Sequence, residues 1–146
     1  MVRQVRDRKG QALAEFAIVL PVVFLLIAGI IEFGRAWNIK QAVTDAAREG
    51  ARYTVIVDGR TTTQVEDLVK QRLALANIDT TNPPTTVTIS PTAFFKCPVG
   101  AGGAGAEMTV SVTTTYHMAW VGAMMRWVGG TSNIPINSQA TMRNEC

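Results

Sequence analysis

The pattern of apolar and polar positions changes twice along the chain, dividing it into three regimes. Residues 16–31 carry no charge and are almost wholly apolar. A helix with no polar face belongs in a membrane or in a deep core. The sixteen residues are slightly short for a span and reach roughly twenty if 12–15 are admitted. That extension takes in Glu15, and a carboxylate near the start of a membrane segment costs roughly 2.5 kcal/mol or more unless it is paired. Pro21 removes one backbone hydrogen bond inside the run and crowds the carbonyl of Ala17, so a kink is expected there.

The second regime is amphipathic. Ala36, Ile39, Val43, Ala46, Gly50, Tyr53 and Val57 recur at helical spacing and form one apolar stripe. Lys40, Asp45, Arg48, Glu49 and Arg52 take the other side, with Asp45 within reach of Arg48 and Glu49 of Arg52. The small residues Ala46 and Gly50 would let another backbone approach closely. Asp58-Gly59 is a plausible stop. One helix from residue 11 to 57 would run about 70 Å at 1.5 Å per residue; a membrane helix followed by a separate soluble helix is the alternative. Thr63-Gln64-Val65-Glu66 reads as a capping box. It would open a second helix, with Val65, Leu68, Val69, Leu73 and, near its end, Leu75 inward, that ends near Asn77 and folds back on the striped half of the first.

Beyond Asn82-Pro83-Pro84 the pattern alternates with β-branched residues. Strands are expected at 86–90, more weakly at 93–97, at 108–116 and at 133–142, where Pro135 favours an edge or bulged position. Residues 100–106 form a Gly/Ala loop that precedes a strand, not a helix, so it is no phosphate cradle. Residues 117–128 are heavily apolar for a connection, with Trp120, Met124, Met125 and Trp127. They predict a short helix capping the core, with a partner-binding or membrane-surface patch as the sharper alternative. The expected class is α+β: a long amino-terminal helix continuing into a domain with a second short helix and a small antiparallel sheet.

The net charge of +3 invites a nucleic-acid reading until its location is considered. Residues 1–10 hold Arg3, Arg6, Arg8, Lys9 and Asp7, and the remainder has ten cationic and ten carboxylate side chains. The basicity therefore precedes the apolar run, where it sets orientation: amino terminus cytoplasmic, the rest exported. A cleavable secretory signal would need a shorter apolar region ended by a small-x-small site. Ala28-Gly29-Ile30 offers small residues, yet the helical pattern runs through them. Two cysteines, Cys97 and Cys146, suit an exported domain with one disulfide. That bridge would contribute about 4 kcal/mol on the chain-entropy model; two unpaired thiols are the alternative. No catalytic set, metal-ligand spacing or cofactor motif is visible, and the single histidine, His117, reads as structural.

Several short motifs then act in combination. Gly10-Gln11-Ala12, Glu15-Phe16-Ala17, Leu20-Pro21, Glu32-Phe33-Gly34-Arg35-Ala36 and Ala46-Ala47-Arg48-Glu49-Gly50-Ala51-Arg52 resemble the TadE-like pseudopilins of the tight-adherence (Tad, or Flp) pilus system. The resemblance is close over residues 9–53 and loose afterwards, where only the strand ending Ala140-Thr141-Met142-Arg143 is reminiscent. It implies a pilin-like fold and a cytoplasmic leader at 1–10, removed by a prepilin peptidase between Gly10 and Gln11. The helix would then cover 11–57, with its membrane part at about 12–34 and an exported domain at 58–146. Glu15 would become the fifth mature residue and meet the new α-amino group of Gln11 on a neighbouring subunit, with Phe16 and Pro21 shaping the helix packing. The implied partners are the peptidase, other pilin or pseudopilin subunits, the Tad inner-membrane machinery and the membrane itself, with no nucleic acid, small-molecule substrate or cofactor. The implied location is the bacterial inner membrane and then the pilus. The bulky tail favours a minor subunit over a very short major pilin. An inner-membrane-anchored periplasmic adaptor and a pilus-tip adhesin remain the alternatives.

Overall fold

The computed structural model describes residues 7–56, 61–90 and 107–143, with side chains from Gly10 onward and, at the end of the first stretch, through Val55. The element order is α1 (Asp7–Ile56), α2 (Thr62–Leu75), β1 (Thr86–Ser90), β2 (Glu107–His117), α3 (Trp120–Trp127) and β3 (Asn133–Arg143). The amphipathic and apolar stretches are thus one uninterrupted helix of 50 residues with Pro21 inside it. It passes through Gly10 and Gln11 without a break. Val57, the stop at Asp58-Gly59, the strand expected at 93–97, the loop at 100–106 and both cysteines, Cys97 and Cys146, lie outside the described residues.

The chain divides into two compact units, one of residues 1–35 and 118–132, the other of 36–117 and 133–146. The second holds the core, formed by Val43, Ala46, Ala47 and Ala51 of α1, Val65, Val69 and Leu73 of α2, and Ile89, Met108, Val110, Val112 and Ile136 of the sheet. The sheet is antiparallel in the order β1-β2-β3. Its register sets Ile89 opposite Val110 and Val110 opposite Ala140, so one face gathers the apolar residues by period-two alternation. Pro135 sits opposite Thr115 on the edge strand β3, where a missing N–H is tolerated. His117 pairs with Asn133 across the same ladder, Nδ1 to Oδ1 at 2.7 Å, which is the structural role expected of it.

Helix α2 begins two residues earlier than the expected box. Thr61 is the N-cap: its hydroxyl accepts from the Gln64 N–H, and the Gln64 side chain accepts from the Thr61 N–H. Three consecutive threonines, each followed at the right distance by a residue able to answer or not, make the motif degenerate. Thr61 and Gln64 complete it. The helix ends on Asn77 in the left-handed region at φ 58°. There the Asn77 N–H returns to the Ala74 carbonyl and the Ile78 N–H to that of Leu73, the double bond of a Schellman ending. Beyond it the Asp79 carboxylate accepts from the Thr81 hydroxyl and the Thr81 and Asn82 N–H groups. The Thr81 hydroxyl chiefly, with those amides, holds its pKa below the ordinary aspartate value. The Asn82-Pro83 bond that follows is cis.

Candidate functional site: the amino-terminal helix and its attachments

Helix α1 presents two kinds of surface. In residues 16–31 every large apolar side chain is exposed, between 42% for Leu25 and 74% for Ile18. The helix is long and apolar enough to cross a membrane, and only 11% of its most apolar window is buried. The core helix of a soluble protein would hide such a window, because roughly 25 cal/mol is lost per Å² of apolar surface left in water. Phe16 is among the exposed residues. Pro21 leaves the Ala17 carbonyl without its usual helical donor.

At the start of this surface Gln11 and Glu15 come together. The Gln11 side-chain amide donates to Glu15 Oε1 at 3.2 Å, one helical turn apart. Within a single chain the acid is therefore satisfied by a neutral donor and its side chain remains outward-facing. Gly10 is also exposed, with nothing within 4 Å of where a side chain would begin.

Farther along, the stripe predicted from the sequence turns inward, and the small residues serve a different purpose from the one expected. At Gly50 an added Cβ would lie 2.8 Å from Val69 Cγ2 and 3.3 Å from Val110 Cγ1. Gly50 thus admits side chains of α2 and β2 of the same chain, and Ala46 is buried in the same core. Glu49 likewise departs from expectation. It pairs with Arg72 of α2 at 3.3 Å, a contact between elements and not the local one with Arg52. Asp45 does pair with Arg48, at 3.5 Å. Both bridges are exposed enough to be worth under about 1 kcal/mol. Toward the sheet, Lys40 Nζ donates to the Asn137 carbonyl, and Ser138 Oγ donates to Thr44 Oγ1 at 3.0 Å.

Helix α3 collects Trp120, Met124, Met125 and Trp127 as the sequence suggested, but it is not the buried helix that its composition predicts. Its one buried residue is Gly122, where an added Cβ would meet Ser132 Cβ at 2.8 Å and Met118 Cβ at 3.1 Å. All four large side chains are exposed, Trp127 to 92%. The reason is geometric: the closest approach of this short helix to protein is at the residue with no side chain.

Glu32 was named by sequence reasoning only within a motif, and no contact was assigned to it. It is 4% exposed, and its Oε1 accepts the backbone N–H of Trp120 at 2.6 Å, 88 residues away. The N-cap of α3, Ala119, has no side chain able to cap; Glu32 supplies the missing acceptor and places a negative group at the positive end of the helix. The available signal was its position as the first carboxylate after an apolar run. Among the described residues, no group of three or more His, Cys, Asp or Glu side chains is arranged to hold a metal.

The family comparison bears directly on this helix. Residues 10–52 match the family model of TadE-like proteins. The amino-terminal segment is similar to TadE-like proteins. The match begins at Gly10, takes in Glu15, the exposed apolar surface, Glu32 and the inward stripe, and ends just short of the end of α1. TadE-like proteins are pilin-like proteins associated with the Tad pilus, and this likeness lies in α1 alone. No curated protein and no solved structure gives a significant match.

Proposed function

We propose that the chain is a minor pilin or pseudopilin subunit that takes part in assembling or initiating a Tad-type pilus. It would be trimmed by a prepilin peptidase between Gly10 and Gln11 and held in the inner membrane by α1, with the sheet domain exported. One observation carries this reading: Glu15 lies outward on a helix whose neighbouring apolar side chains are also outward, one turn from Gln11. Trimming would turn Gln11 into the chain terminus and create an ammonium group. A charged donor makes a bond to carboxylate roughly twice as strong as a neutral one, and in an apolar surround it would fix the register of adjoining helices. Mass spectrometry of membrane-extracted protein is expected to find a chain beginning at Gln11; material still beginning at Met1 would overturn the proposal. Glu15→Ala should leave trimming and insertion intact and remove the subunit from sheared pili.

A second reading, an anchored periplasmic adaptor of the same machinery that never enters the fibre, draws on the exposed side chains of α3. Shearing separates the two, since only a fibre subunit leaves with the pili.

A further inference from the structure

We propose that α3 is an interfacial anchor, lying in the headgroup region of the outer leaflet beside the point where α1 leaves the hydrocarbon. Glu32 holds it at that depth. This rests on reading α1 as a membrane span, and not on any role in a pilus.

Depth follows from counting. The uncharged stretch with its Ala12 extension ends at Ile31, and twenty residues of helix rise about 30 Å, the thickness of the hydrocarbon core. Glu32 is the next residue, so the N–H of Trp120 that it binds lies at the hydrocarbon edge. Residues 118–132 belong to the same compact unit as the apolar part of α1. Glu32 caps the start of α3, and the segment that carries the helix is closed at its base by the Met118 N–H bonded to the Ser132 carbonyl at 2.9 Å.

Chemistry selects lipid as the occupant. The helix turns its glycine to protein and its Trp and Met side chains outward, the reverse of a soluble helix of its size. Tryptophan is enriched at the membrane–water boundary because its ring is apolar and its N–H is not. The only charged residue in α3 is Arg126, which is exposed and whose guanidinium suits lipid phosphate. An eight-residue helix would bind a bilayer weakly if free. Here it is already at the surface, so the cost of bringing it there has been met by α1.

The test uses the full chain in vesicles of phosphatidylethanolamine and phosphatidylglycerol. With Trp37→Phe and Trp120→Phe, Trp127 becomes the sole reporter. Its fluorescence should be quenched more by lipids brominated near the headgroup than by lipids brominated at the chain ends, and little by aqueous iodide. In a second chain, with all three tryptophans replaced by phenylalanine, Leu20→Trp reports on the span and should be quenched by the deep-brominated lipid. If Leu20→Trp is deep while Trp127 stays open to iodide, the anchor is refuted and the span stands. If Leu20→Trp is not deep, both fail. Shielding of Trp127 that disappears as the protein is diluted in lipid would mean that a neighbouring protein covers α3, which also overturns the proposal. Glu32→Ala should lower the docked-to-undocked ratio of Trp127 by about tenfold, the size expected of one charged hydrogen bond. Glu32→Gln, which keeps an acceptor, should restore most of it.

Discussion

Helix α1 has two halves, and they dispose their apolar side chains in opposite ways. Between residues 16 and 31 the side chains are large and branched and face outward. From Val43 to Thr54 the buried positions are Val43, Ala46, Ala47, Gly50, Ala51 and Thr54, small enough for Val65, Val69 and Val110 to close on the backbone. Apolarity alone does not distinguish the halves. Side-chain size does, because a helix that meets protein needs room for a neighbour's side chains, while one that meets lipid offers its own.

The contrast can be broken at its strongest point first. Leu73→Ala removes a fully buried side chain of α2 and should destabilise the sheet domain by about 2–5 kcal/mol. Leu26→Ala, exposed in the apolar half, should leave the thermal midpoint of that domain unchanged. Circular dichroism of the detergent-solubilised chain reads both, and equal effects would end the distinction. A glycine pair sharpens it. Gly50→Val would force a side chain into the 2.8 Å approach of Val69, at a cost of about 1–3 kcal/mol. Gly29→Val meets nothing within 4 Å and should change domain stability by less than about 0.5 kcal/mol.

The smallest effect is electrostatic. No titratable side chain lies between Glu15 and Glu32, whereas the folded domain depresses the pKa of Asp79. A depressed carboxyl contributes stability that is present above its unfolded pKa, near about 3.9, and is lost as the pH falls through the folded value. Asp79→Asn should therefore flatten the acid limb of the domain's stability curve without altering insertion of the helix. An acid limb identical to that of the unaltered chain would contradict the Thr81 contacts as its cause.

Local patterns carried most of this architecture. The apolar run, the inward stripe, Val65, Val69 and Leu73 of α2 and the strands β1, β2 and β3 all follow from periodicity, which samples only near neighbours; Leu75, expected inward at the end of α2, is exposed. Two of the failures, at Glu49 and Glu32, share one cause, a partner remote in sequence. Glu49 looked to Arg52 by spacing but meets Arg72, because α2 packs over that turn. The α3 stretch looked like core because its composition is apolar, yet its one buried residue is Gly122. Glu32 was visible as part of a motif, but the N–H it binds is 88 positions later. The capping box failed for a different reason, since runs of threonine offer several starting registers and only the folded helix chooses among them.

The contact between Gln11 and Glu15 has a consequence for timing. An untrimmed chain brings its own provisional donor, so the acid can wait in an apolar setting without recruiting a second molecule. On the reading proposed above, a single proteolytic event would leave the Gln11 amide in place and add a full positive charge on the same residue. Lateral attraction between chains would then begin only after the leader has gone, and premature clumping in the bilayer would be avoided by a single uncharged amide.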